Sequence, residues 1–226
     1  MNAASHDRLT SRPIQNVYCI GRNYKLHAEE LGNAVPKEPM VFMKPTHAVT
    51  HIGEAKTLPL PLERGSIHHE LEIVVRIGKK VEPGMTADQV IDAFALGIDF
   101  TLRDVQDVLK QKGHPWLPAK GRLHTGPITS FVPFPGCNII NETPFSLFVN
   151  DRLVQQGALK DMIFNLDTLI QYVALHYGLD EGDIIFTGTP AGVGPVQAGD
   201  CLRLKWDDQL AGECFIASLA GNVKES

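Results

Sequence analysis

His68-His69-Glu70-Leu71-Glu72-Ile73-Val74-Val75 is the stretch whose pattern decides the fold. Leu71, Ile73, Val75 and, two residues on, Ile77 fall on one side of an extended chain, because successive strand side chains point to opposite faces. The spacing predicts a strand over residues 70–77 whose apolar side joins a core. Glu70 and Glu72 then share the other face, about 6.6 Å apart at roughly 3.3 Å per residue. Two readings of that pair are open. It is a solvated strand face, or it is a pair of oxygen ligands leaning toward one hard divalent cation.

Outward from that strand, the apolar segments are short and punctuated by glycine and proline, the pattern of a β-rich α+β domain. Strands are expected over residues 14–20, 97–100, 184–186, 202–206 and 213–219. Residues 145–149 and 153–155 flank Asn150-Asp151-Arg152 as a hairpin. Helices are expected over residues 24–31, over 87–95 with Thr86 and Gln89 as a capping box, and over 102–112 closed by Gly113. The clearest helix covers 167–177. Leu166, Leu169, Ile170, Val173, Ala174 and Tyr177 keep its period, and Gly178 ends it.

The 226 residues, 43% hydrophobic and 21% charged, suit a single folded domain with its own core and exclude a disordered chain. Lys and Arg number 21 against 26 Asp and Glu, for a net charge of −5, and no basic block occurs. A nucleic-acid partner is therefore disfavoured, since phosphate neutralisation needs clustered cations. Cys19, Cys137, Cys201 and Cys214 form no C-x-x-C pair, and read as free thiols in a reducing compartment. No apolar run is long enough to span a membrane, and residues 1–13 lack the apolar segment of a secretory signal, so a cytoplasmic protein is expected.

Beyond the carboxylate strand, Asp99 lies inside the apolar run Ala93-Phe94-Ala95-Leu96-Gly97-Ile98-Asp99-Phe100, where a carboxylate needs a partner. It is either a helix N-cap for the segment beginning near Thr101 or a third oxygen ligand. No histidine pair has H-E-x-x-H spacing, which argues against a zinc hydrolase, and the absence of G-x-S-x-G leaves a serine triad without an anchor. Thr187-Gly188-Thr189-Pro190-Ala191-Gly192-Val193-Gly194 lacks the ending of a phosphate loop. It is either a tight connection needing positive φ or a nest of N–H groups for a carboxylate. Lys120 is a lone cation among apolar neighbours: a snorkelling surface lysine, or a charge beside an anionic intermediate. His27 and Glu30, at i and i+3, can touch, as an inert pair or as an oriented general base.

The chain resembles the fumarylacetoacetate hydrolase superfamily. The resemblance is carried by Gly21-Arg22-Asn23-Tyr24, Lys44-Pro45, His69-Glu70-Leu71-Glu72, Asp99-Phe100-Thr101, Arg103-Asp104-Val105-Gln106, Lys120 and the Thr187–Gly194 loop, in family order across about residues 14–219. It is similar to the short, single-domain branch of acylpyruvate hydrolases with associated oxaloacetate decarboxylase activity. The resemblance implies a mixed β-sandwich roll, a homodimer, and Mg²⁺ or Mn²⁺ bound by Glu70, Glu72 and Asp99. It further implies Lys120 at the reacting oxygen, His27 and Glu30 as the dyad of a mobile lid over about residues 24–39, and substrate contacts from Arg22, Tyr24, Gln106, Gly188 and Thr189. Leu123-His124 stand where relatives often carry a Phe-Asp or Phe-Thr pair, and Ala191 occupies a position that varies among relatives; both bear on the acyl group and not on the metal ligands.

The activity so implied is cleavage of the C3–C4 bond of an acylpyruvate, a small anionic 2-keto acid, to pyruvate and a carboxylic acid. Decarboxylation of oxaloacetate and isomerisation of a hydroxydienoate are neighbouring enzymatic readings, because all pass through an enolate. A binding module without turnover is the reading of a different class. The presence of every matched metal, lysine and lid residue favours the enzyme.

Overall fold

A computed structural model describes residues 13–26, 36–53 and 56–219. Leu71–Ile77 is its central strand, buried at every position. Leu71, Ile73, Val75 and Ile77 enter the larger core, and Val74 enters a second core on the opposite face. The alternation is therefore real, but both faces are covered: Glu72 and Arg76 turn toward the second side without reaching solvent. Arg76 survives there because Asp92 takes its Nε and Nη2 at 2.9 Å each and the Phe131 ring lies 4.9 Å from its guanidinium carbon. Of the two readings open for Glu70 and Glu72, the solvated face fails on that burial.

Leu71–Ile77 sits inside a mixed eight-stranded sheet. Met40–Lys44, Val17–Gly21 and Ile184–Phe186 lie to one side, and Ile91–Ile98, Gly126–Ile128 and Val49–His51 to the other; Val132–Pro133 adds to Ile91–Ile98. A five-stranded sheet runs Arg152–Gly157, Phe145–Val149, Cys201–Trp206, Gln209–Ser218 and Lys56–Leu60, and a small third sheet joins Gly194–Pro195, Ile67–His69 and Thr101–Leu102. Leu58, Phe145, Leu147, Leu202 and Leu204 of the second sheet share one core with Leu71 and Ile73 of the first. This is the strand-rich, curled β-sandwich roll with few helices that the motifs imply.

One expected helix is mostly strand. Gln89 does accept from the Thr86 backbone N–H at 2.8 Å, as a capping box requires, yet the helix covers only Ala87–Val90. Ile91–Ile98 pairs antiparallel with Leu71–Ile77 instead. From Ile91 onward nearly every position is apolar, which suits a strand buried on both faces and would grease every face of a helix. The strand expected over 97–100 is the end of this one.

Other elements fall where the pattern puts them. Arg103–Lys112 ends at Gly113 in the left-handed region, Leu166–Tyr177 is capped by the Asn165 side chain, and Gly178 closes it. The hairpin turns on two residues, Asn150 and Asp151, both at positive φ as a type I′ turn demands. Tyr24 forms a β-bridge to Met162, and the expected helix begins one residue later, at Lys25. Almost all of the expected N-terminal tail, and the part of the expected lid that holds His27 and Glu30, lie outside the described residues. Among the described residues no helix is long and apolar enough to cross a membrane.

Candidate active site

The antiparallel pairing of Leu71–Ile77 with Ile91–Ile98 brings the acidic residues together. It continues past the last ladder pair, where the Asp99 N–H donates to Glu70 O at 2.8 Å. Glu70, Glu72 and Asp99 are all buried, and each offers a carboxylate oxygen within 4.8 Å of the other two. Ile184–Phe186 lies beside Leu71–Ile77, so the loop after it runs past Glu72, and the Gly188 N–H donates to Glu72 Oε2 at 2.8 Å. Gly188 needs its φ of +102°, and a Cβ there would come within 2.7 Å of the Asn23 Cβ.

Three cations meet these three acids. Lys120 is 3% exposed, not a surface lysine, and its Nζ lies 2.7 Å from Glu70 Oε2 and 2.5 Å from Asp99 Oδ2. Lys44 Nζ lies 2.8 Å from Asp99 Oδ1, an ion pair without good hydrogen-bond angles. Arg103 Nη2 lies 2.5 Å from Glu70 Oε1, while its Nη1 donates to Gln106 Oε1 at 2.7 Å. Glu72 has only the Gly188 amide among these partners. Burial, then the charge of Asp99, pushes its carboxyl well above the usual range, with the Gly188 N–H pulling the other way. Burial alone would lower the Lys120 ammonium, but Asp99 and Glu70 outweigh it and hold the group raised and charged.

Three acidic side chains converge on one point where the chain already places an ammonium, so the oxygens are arranged to hold a cation. An all-carboxylate donor set is the preference of hard divalent ions and not of zinc in a structural site. Asp99 is also not a helix cap: the following helix begins at Arg103, with Leu102 in the cap position.

A narrow cleft opens onto this cluster. Glu70, Glu72, Asp99, Lys120, Gln106 and Thr189 line its floor, and Arg22 and Lys110 line its walls with Phe42 and Trp116. Burial, and then the charge of Arg103, holds the Lys110 ammonium below its ordinary value. Tyr24 lines a neighbouring hollow with Lys25, Gln156, Asp161 and Pro190. Its phenol is raised well above the ordinary value by burial and then by Glu72, and its hydroxyl is buried without a partner among the described residues.

The structure thus brings together Glu70, Glu72, Asp99, Lys120, Arg22, Gln106, Gly188 and Thr189, sets Tyr24 beside them, and leaves His27 and Glu30 undescribed. Sequence reasoning gave no role to Lys44, Arg103 or Gln155. Lys44 had a signal of its own, a lysine ending the apolar strand Met40–Lys44. Arg103 stands at i, i+3 from Gln106, so one helix face presents both. Gln155, on the far sheet, had none.

Residues 16–219 match the family Fumarylacetoacetate (FAA) hydrolase C-terminal. The chain belongs to this family. It is 40% identical over 205 residues to the oxaloacetate tautomerase YcgM of Escherichia coli (strain K12), covering 88% of this chain and 91% of that one. It is 38% identical over 191 residues to the mitochondrial oxaloacetate decarboxylase of Dictyostelium discoideum, covering 84% and 87%. Among solved structures, fumarylpyruvate hydrolase from Pseudomonas aeruginosa in complex with Mn²⁺ and pyruvate superposes with a TM-score of 0.85 at 30% identity, over 92% of this chain and 91% of that one.

Proposed function

We propose that the chain is a metal-dependent enzyme acting on the enolate of a small 2-oxo dicarboxylate, with interconversion of the enol and keto forms of oxaloacetate as its main reaction. The observation that carries this reading is the convergence of Glu70, Glu72, Asp99 and Lys120 at the floor of a cleft walled by Arg22 and Lys110. A buried acidic triad beside a fixed cation suits a reaction whose intermediate is an oxyanion. The similarity to an oxaloacetate tautomerase across most of both chains supports the choice of substrate.

Glu70, Glu72 and Asp99 would hold Mg²⁺ or Mn²⁺, which would supply Lewis-acid polarisation of the 2-oxo group and its neighbouring carboxylate. Arg22 and Lys110 attract the dianion and hold it in the cleft. The Lys120 ammonium, kept charged by its two carboxylates, places fixed positive charge where the enolate oxygen gains negative charge. The Thr189 hydroxyl donates to the carboxylate next to the 2-oxo carbon. Ketonisation removes the enol O–H proton and delivers a proton to C3. His27, oriented by Glu30, is the group we assign to that transfer. The Phe42 and Trp116 rings, 5.6 Å apart and edge-on, line the cleft beside these groups, and such apolar surface strengthens the charge interactions next to it.

Hydrolysis of acylpyruvates is the second reading, favoured by the structural likeness to a fumarylpyruvate hydrolase. It uses the same enolate and adds an attacking water. Decarboxylation of oxaloacetate shares the enolate and needs no water. Incubating the Mg²⁺-loaded protein with oxaloacetate, acetylpyruvate and fumarylpyruvate separates these readings. Fastest turnover of the oxaloacetate enol supports the first, and fastest pyruvate release from an acylpyruvate would replace it with the second. The reading includes a homodimer, for which light scattering should return twice the chain mass.

A further inference from the structure

Gln155 lies on Arg152–Gly157 in the second sheet, 1% exposed, and ties that sheet to the floor of the cleft. Its Oε1 accepts from the Leu71 N–H at 3.0 Å and pairs with His69 Nδ1 at 2.9 Å. Its Nε2 donates to Thr189 Oγ1 at 2.9 Å and to Pro190 O at 3.0 Å. The orientation of this amide is dictated by its partners. A backbone N–H can only donate and a backbone carbonyl can only accept, so Oε1 must face Leu71 and Nε2 must face Pro190. His69 must then carry its proton on Nδ1.

The consequence falls on Thr189. Its oxygen is used as an acceptor by Gln155, so its own hydrogen must go elsewhere. Among the described residues the only acceptor offered is Pro190 O at 3.5 Å, a long contact to an oxygen that already receives Gln155. The other direction is the cleft, which Thr189 lines. The loop cannot turn away, because it lies flush on the strand. A Cβ on Gly192, at φ +95°, would come within 2.2 Å of Val154 O, and one on Gly157 within 2.8 Å of Pro190.

We propose that Gln155 is a positioning residue for substrate: by donating to Thr189 Oγ1 it leaves the Thr189 hydroxyl as a donor directed at the substrate carboxylate. This rests on the reading of the cleft as a 2-oxo acid site, and it assigns to the second sheet a part in recognising the anion. Gln155 touches no reacting atom, and its effect belongs to ligand affinity and not to the metal ion.

Oxalate, a planar dianion shaped like the carboxylate–enolate half of the intermediate, is the probe. Its dissociation constant is measured by calorimetry on Mg²⁺-saturated protein, and Mn²⁺ affinity is measured separately by spin resonance on metal-stripped protein. Gln155→Met and Gln155→Glu should each weaken oxalate by about ten- to a hundredfold, the usual loss of one hydrogen bond to a charged group. Mn²⁺ affinity should stay within about twofold, below what a change to the ligand shell produces. In the Thr189→Val background the Gln155 substitutions should cause no further loss of oxalate binding. Thr189→Ser should bind oxalate as wild type does while Thr189→Val does not, a comparison that holds even if the Gln155 variants fold poorly. Equal losses from Gln155→Met with and without Thr189→Val, a parallel loss of Mn²⁺ affinity, or equal oxalate binding by the Ser and Val variants would each overturn the proposal. Wild-type protein that binds no oxalate would overturn it as well. Wild-type protein that binds oxalate but leaves the oxaloacetate tautomers unchanged would overturn the proposed function alone.

Discussion

Lys44→Met removes one ammonium from the floor of the site and keeps a stem of similar length. In the wild type that ammonium, with no exposed side-chain surface, lies 2.8 Å from Asp99 Oδ1, 3.3 Å from Thr125 Oγ1 and 3.4 Å from Phe100 O, and against Lys120 O. Deleting one partner of a buried ion pair typically costs ~3–5 kcal/mol, because the other charge stays buried. Lys120 still pairs with Asp99 Oδ2 at 2.5 Å, which argues for the lower end of that range. For a chain of this length each kcal/mol is worth ~2–4 °C, so Tm should fall by ~6–12 °C. The assay is thermal unfolding of metal-free protein by circular dichroism. Lys160→Met serves as the control, since its 2.6 Å pair with Glu142 is exposed, and it should leave Tm unchanged. A Tm for Lys44→Met within ~2 °C of wild type would refute the claim that Asp99 depends on Lys44.

Glu72→Gln should weaken Mn²⁺ binding at least about tenfold by calorimetry, because it replaces one of three anionic oxygens with a neutral amide; unchanged affinity would remove Glu72 from the ligand set. His27→Ala should lower acylpyruvate hydrolysis and oxaloacetate ketonisation by roughly 10²–10⁴-fold and oxaloacetate decarboxylation less. Equal losses in all three steady-state assays would withdraw the proton-transfer role. All four thiols titrate above their ordinary value through burial first, with Cys137 and Cys214 each pushed up to about 12. A raised thiol holds less thiolate at a given pH, so at pH 8 iodoacetamide should label Cys137 roughly 10³-fold more slowly than the same residue in unfolded protein; fast labelling in mass spectra would contradict that.

The alternation around Leu71 placed the central strand and put Glu70 and Glu72 on one face, since a period of two is local information. It could not show that the polar face is also covered, because Val17, Phe131 and Ile184, which bury it, come from distant segments. The same limit misled the reading of residues 87–95. The capping box at Thr86 is local and forms, but the partner strand that turns Ile91–Ile98 into a ladder lies earlier in the chain. Asp99 was legible as a buried carboxylate needing partners, and it has them in Lys44 and Lys120. Lys120 itself was readable only through the family resemblance, because a lone lysine among apolar residues is more often a surface group. Gln155 was beyond reach. Its importance lies in four hydrogen bonds to three segments, and nothing in Val154-Gln155-Gln156 marks one glutamine over the other.

The central claim is tested most directly by following ketonisation of the oxaloacetate enol in the ultraviolet with metal-stripped protein, before and after adding Mg²⁺. The account predicts no enzymatic rate without the ion, restoration on adding it, and loss again with EDTA. It also predicts a fall of about 10²-fold or more in Lys120→Ala, the scale of removing one fixed charge from a developing oxyanion. Full ketonisation by metal-free protein, or an undiminished rate in Lys120→Ala, would contradict it.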